Sequence, residues 1–144
     1  MQITQQIFQD TLDAIRIQYS NQNDPCTFVF TLPDKHYSGV SYMFSYHVSE
    51  ETNTVEGRCI PCGSSIQPNF FDQALLLCDL WNRDPDNPRV RLDTENQNLV
   101  FEQCWEMGPE GDAGWWKIRL FLDFFYRVRQ CVYRAIYENI YNPF

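Results

Sequence analysis

Val40-Ser41-Tyr42-Met43-Phe44-Ser45-Tyr46-His47-Val48 alternates without a slip between large apolar side chains and small or polar ones. A period of two marks a strand with one buried and one solvated face. Val40, Tyr42, Phe44, Tyr46 and Val48 then face a core, while Ser41, Met43, Ser45 and His47 face away from it. Strands of this kind belong to antiparallel sheets covered on one side only.

The flanking sequence extends the same reading. Residues 26–32 predict a strand with Phe28, Phe30 and Leu32 on one face, and residues 54–60 a weaker strand stopping at Pro61, as suits an edge or a strand end. Ahead of them, residues 4–19 predict a helix with Ile3, Ile7, Phe8, Leu12, Ile15 and Tyr19 on one side, closed by turn-forming residues 20–25. Beyond them, Asn69 is placed as the cap of a second helix, with Asp72 three positions on. Phe70, Phe71, Ala74, Leu75, Leu77, Cys78 and Trp81 nearly encircle that helix, which predicts deep burial. After the breaker at residues 84–88, strands 89–93 and 99–107 form a hairpin, and the glycine-rich residues 108–114 form a flexible loop.

Residues 115–141 complete the chain as one long aromatic helix. Its polar stripe is Arg119, Asp123, Arg127, Gln130, Arg134 and Glu138, stepping by three or four. Opposite lie Ile118, Phe121, Leu122, Phe125, Val128, Val132, Ala135, Ile136 and Ile140, more apolar surface than one helix can hide. The order is α-β-β-β-α-β-β-α, which predicts an α+β domain: an antiparallel five-stranded sheet with helices packed on it.

At 144 residues, without repeat or linker, the chain is expected to form one domain. Its 44% apolar and 16% aromatic content excludes a disordered chain. A net charge of -8 argues against nucleic acid and against anionic membrane surfaces. The first residues lack the pattern of a signal peptide and no apolar run approaches membrane-spanning length, so a cytoplasmic protein is expected. Its six cysteines are then expected to be reduced.

Leu80-Trp81-Asn82-Arg83, then Pro88-Arg89-Val90-Arg91-Leu92-Asp93, then Leu99-Val100-Phe101-Glu102, taken with the element order, resemble the bacterial YbjN family. Members of that family look like type III secretion chaperones in fold. The resemblance spans nearly the whole chain by element order, and residues 70–106 by sequence; the hairpin turn at residues 94–98 contains no glycine. It implies a small acidic homodimer that holds or regulates another polypeptide, with no catalytic role and no cofactor. Clients of such a fold are held by strand addition or in apolar grooves.

Chemistry-bearing motifs are sparse. Cys59-Ile60-Pro61-Cys62 has the spacing of a redox pair or half of a zinc site, but no helix starts beside it and no second ligand pair accompanies it. The motif therefore reads first as two ordinary thiols at a strand end. His36 sits in a turn and His47 on a polar strand face, neither at motif spacing from a nucleophile. Asp84-x-Asp86 with Glu95 mimics a calcium loop, yet Pro88 and Arg89 occupy positions that need an oxygen ligand and a glycine. Trp115 and Trp116 read either as core filling or, with Phe124, Phe125 and Tyr133, as anchors of a dimer or client surface. The expectation is a non-enzymatic protein-binding module, with a thiol or zinc module on Cys59 and Cys62 as the alternative.

Overall fold

The computed structural model describes residues 1–63, 65–108 and 114–142. Helix α1 (Gln5–Ala14) precedes strands β1 (Thr27–Pro33), β2 (Ser41–Ser49) and β3 (Thr54–Cys62). A 3-10 turn (Pro68–Phe70), α2 (Phe71–Asn82), β4 (Arg89–Asp93) and β5 (Asn98–Glu106) follow. The C-terminal helix comprises α3 (Trp115–Lys117), a π-helical stretch (Ile118–Asp123) and α4 (Phe124–Tyr137). The strands form one open antiparallel sheet in the order β1-β2-β3-β5-β4. The α+β architecture and the order α-β-β-β-α-β-β-α are as the sequence predicts. Residues 109–113 of the expected loop lie outside the described residues.

The alternation in β2 does what it predicts. Tyr42, Phe44, Tyr46 and Val48 are buried under the helices, while Met43 and His47 face solvent. Phe28 and Phe30 of β1, Val55 and Cys59 of β3, and Leu99, Phe101 and Trp105 of β5 complete the inner face. The opposite face is polar, with Arg58 and Arg91 both paired to Glu102. β3 is not an edge: it lies between β2 and β5, and Pro61, opposite Tyr42, stands one pair before the end of the β2 ladder and beyond the last β5 pair at Cys59. Proline is tolerated there because little ladder remains beyond it.

Both outer helices stop earlier than their apolar periodicity suggests, by the same device. Arg16 adopts a left-handed φ of 60° after α1, and Ile17 N–H bonds back to Leu12 O at 3.0 Å. Asn139 does likewise after α4 at φ 61°, with Ile140 N–H on Ala135 O at 2.8 Å. These are Schellman closures. The second turns Ile140 and Tyr141 into the core, where Leu99 N–H donates to the Tyr141 hydroxyl at 2.9 Å. Asn69 does not cap α2; it lies in the 3-10 turn, and Phe70 stands at the N-cap without a side-chain bond. In the β4–β5 hairpin, Gln97 takes the left-handed conformation that a glycine would supply, and Asp93 braces the turn through Glu95 N–H and Asn96 N–H.

The π stretch resets the phase of the C-terminal helix. Trp116, Leu120, Phe124, Val128 and Val132 are all buried although they recur every four residues. In a regular α-helix a stride of four leads the face by about 40° each time. The wider π turn cancels part of that drift and keeps one row on the sheet. Leu120 and Phe124 therefore point inward, while Ile118 and Leu122, part of the apolar face read from the sequence, are exposed.

Gly57 of β3 makes this packing possible. A Cβ there would stand 2.6 Å from the Trp105 ring and 3.0 Å from Tyr46. The Trp105 ring is itself held edge-on by Phe124, with ring centroids 5.1 Å apart. Gly57→Ala is therefore expected to destabilise the fold by about 1–3 kcal/mol. Urea denaturation followed by tryptophan fluorescence measures it, and a neutral substitution would mean that the Trp105 ring is free to move.

Candidate functional site

Helix α2 shows one face to the sheet and another to solvent. Ala74, Leu77 and Cys78 are buried towards β4 and α4, whereas Leu75, Leu76 and Leu80 are exposed, Leu76 by 65%. The expectation of deep burial for this helix is thus corrected. Its buried side is only three residues wide, and Asp72, Gln73 and Asp79 share its outer surface with the leucines. Leu76 and Leu80 stand one turn apart on the same outer face.

Beside Leu80 lies a groove of about 690 Å³ lined by Leu77, Trp81, Tyr133, Arg134 and Tyr137 among others. Tyr137, at the end of α4, is 85% exposed. Trp81 is half-buried, and its Nε1 is covered without a hydrogen-bond partner. Large apolar side chains set out contiguously along two packed helices are the usual mark of an interaction surface.

Asp34, in the β1–β2 loop, fixes one wall of this groove. It is buried and accepts from Tyr42 OH at 2.6 Å, His36 N–H at 2.7 Å, Tyr37 N–H at 3.0 Å and Tyr133 OH at 3.0 Å. Burial alone would raise its pKa, but the four donors outweigh that and hold it below the ordinary carboxylate value. Burial and the neighbouring carboxylate in turn push the Tyr133 hydroxyl up to about 12. The sequence offers a signal for this, an aspartate opening a turn after Pro33, but nothing in the pattern shows that two tyrosines from other elements converge on it.

The five residues expected to anchor a partner do not form one patch. Trp115 is exposed, but Trp116 is buried with its ring close to Phe8 and Phe121. Phe124 is wholly buried among Phe44, Tyr46 and Trp105. Phe125 is half-buried, edge-on to Tyr42 and Phe44 and beneath the Arg129 guanidinium. Tyr133 is half-buried and tied to Asp34. Trp116 and Phe124 thus offer no surface to a partner: the shifted helix phase uses them on the chain's own sheet.

Cys59 and Cys62 face opposite sides of the sheet, as residues three apart in a strand must. Cys59 is fully buried, and burial raises both thiol pKa values, the reverse of what a reactive thiolate needs. None of the six cysteines is disulfide-bonded. Among the described residues, no three His, Cys, Asp or Glu side chains are grouped so as to hold a metal ion. His47 sits on the open polar face, 2.9 Å from Thr27 Oγ1 and 3.4 Å from Asp24. The carboxyls of Asp24, Asp34, Asp93 and Glu102 are all lowered in pKa, so each is held as an anionic acceptor rather than poised as an acid. No described helix is long and apolar enough to cross a membrane.

Comparison with known protein families, with curated proteins and with solved structures returns no match to this chain.

Asp34→Ala is expected to cost about 2–3 kcal/mol, because it orphans the buried Tyr42 hydroxyl. The wild-type contribution also has a defined pH dependence. A depressed folded pKa stabilises above the unfolded value near 3.8 and loses that stability as pH falls through the lower folded value. The gap between the denaturation midpoints of wild type and Asp34→Asn should therefore be steady above about pH 4 and shrink progressively as the pH falls below it. A constant offset across that range would mean the carboxylate charge contributes nothing.

Proposed function

We propose that this chain is a non-enzymatic protein-binding module of the YbjN, secretion-chaperone-like type, acting in the cytoplasm as a homodimer that holds or regulates another polypeptide. The observation that carries the reading is the exposed apolar surface formed by Leu75, Leu76 and Leu80 on α2 and Tyr137 on α4. Covering such side chains is worth about 1.5–3 kcal/mol each when burial is complete. An α2 face meeting its own copy across a two-fold axis buries every leucine twice, which is how a modest patch becomes a stable interface. The shared element order and the acidic charge support the family-level reading. Six thiols without a disulfide fit a reducing compartment.

Strand addition, the other mode of client capture expected of such a fold, finds little free edge here. β1 and β4 are the sheet edges. Part of the β1 edge is already used, since Ser20 and Val29 bond to one another through both backbone groups. The β4 edge is used as well, since the Asn82 side chain accepts from Val90 N–H and donates to Val90 O, each at 2.9 Å.

Light scattering on a size-exclusion column tests the dimer. Wild type is expected at twice 17.1 kDa, and the Leu76→Glu, Leu80→Glu double variant at 17.1 kDa with an unchanged circular dichroism spectrum. A wild-type monomer at high concentration would overturn the homodimer.

A further inference from the structure

The chain has two lysines, Lys35 and Lys117, and both line the same groove. This groove, of about 470 Å³, is formed by the end of α1, residues of β1 and its following loop, and the C-terminal helix. It is separate from the α2–α4 groove and shares no lining residue with it. Its walls are mostly apolar and include Ile15, Phe121 and Leu122. Arg129 supplies a third cation: its guanidinium lies 4.5 Å from the Phe125 ring centroid, and its Nε is covered without a hydrogen-bond partner.

No carboxylate lines this groove, and none of the three cations forms an ion pair among the described residues. In a chain with 19 acidic and 11 basic residues, that is a marked segregation of charge. An occupant must supply apolar surface to the walls and negative charge to the rim. The groove is open along its length, with Ile15, Ile118 and Leu122 exposed, so a single aliphatic chain would stay largely in water. A helix wide enough to span the walls covers them, and carboxylates beside its apolar stripe reach the cations.

We propose that this groove docks an acidic amphipathic helix of a partner polypeptide. Its apolar stripe packs on Ile15, Phe121 and Leu122, and its carboxylates pair with Lys35, Lys117 and Arg129. The proposal rests on the protein-binding reading and specifies the chemistry of the partner at a second surface. The acidic remainder of the molecule repels such a helix, which confines docking to this groove.

The test is to pan a phage-displayed library of amphipathic helices on the full-length protein, then to measure the selected consensus peptide by fluorescence anisotropy. The expected consensus carries Asp or Glu beside the apolar stripe. Its affinity should fall about ten-fold or more on the Lys35→Glu, Lys117→Glu variant and on Leu122→Asp, and stay unchanged on Leu76→Glu, Leu80→Glu. A neutral or basic consensus, or an affinity insensitive to the lysine reversals, overturns the proposal. So does saturable binding of dodecanoate to the groove with no peptide selected. A peptide lost only on the α2 variant overturns this groove while leaving the protein-binding reading intact. Failure to select any peptide, together with a monomeric wild type, removes both.

Discussion

Tyr46 joins the two layers of the molecule. It lies on the interior strand β2, and its hydroxyl donates to the Leu120 carbonyl at 2.6 Å across the core. Burial raises its pKa far above the ordinary phenol value, so it remains a protonated donor. A buried phenol must find an acceptor, and a carbonyl oxygen can accept two bonds. Leu120 sits in the π stretch, where the widened turn leaves room for this second donor. Around the Tyr46 ring gather Phe8 of α1, Phe30 and Phe44 of the sheet, Trp105 of β5, and Phe121 and Phe124 of the last helix. One side chain thus sets both the depth and the phase of the helix that covers the sheet.

That phase decides what remains outside. With Trp116, Leu120 and Phe124 turned inward, Ile118 and Leu122 are left along the groove that carries both lysines. On the other flank, α2 is held against β4 by a narrow inner face, which leaves Leu75, Leu76 and Leu80 outside, with Leu80 in the groove that Tyr137 lines. The molecule therefore presents two apolar surfaces of different character, one ringed by cations and one edged by the Asp34 cluster. The dimer proposed through α2 would leave the cation-lined groove open on each copy, since the two grooves share no lining residue.

The legible part of the fold was the part governed by local alternation. The period of two in β2, the hairpin of β4 and β5, and the order of elements all follow from side-chain pattern alone, although in β5 Leu99, Val100 and Phe101 are buried in succession. The C-terminal ends of the two outer helices were not legible, since Arg16 and Asn139 close them in left-handed conformations that apolar periodicity does not encode. The π stretch was invisible for a related reason: Tyr46 reaches its Leu120 carbonyl from the sheet, a contact that the helix's own pattern does not encode. The same shift misplaced the candidate surface, since Trp116 and Phe124 belong to the core and the leucines of α2 to the outside. Hydrophobic content identified how much surface needed cover, and only tertiary packing determined which residues supplied it.

The most direct measurement is amide hydrogen exchange on dilute and concentrated samples, resolved along the chain. If the α2 surface meets its own copy, exchange through Phe71–Asn82 and the end of α4 should slow with concentration, while β1 and the open polar face stay unchanged. Exchange independent of concentration, or protection appearing on a different surface, would contradict the account.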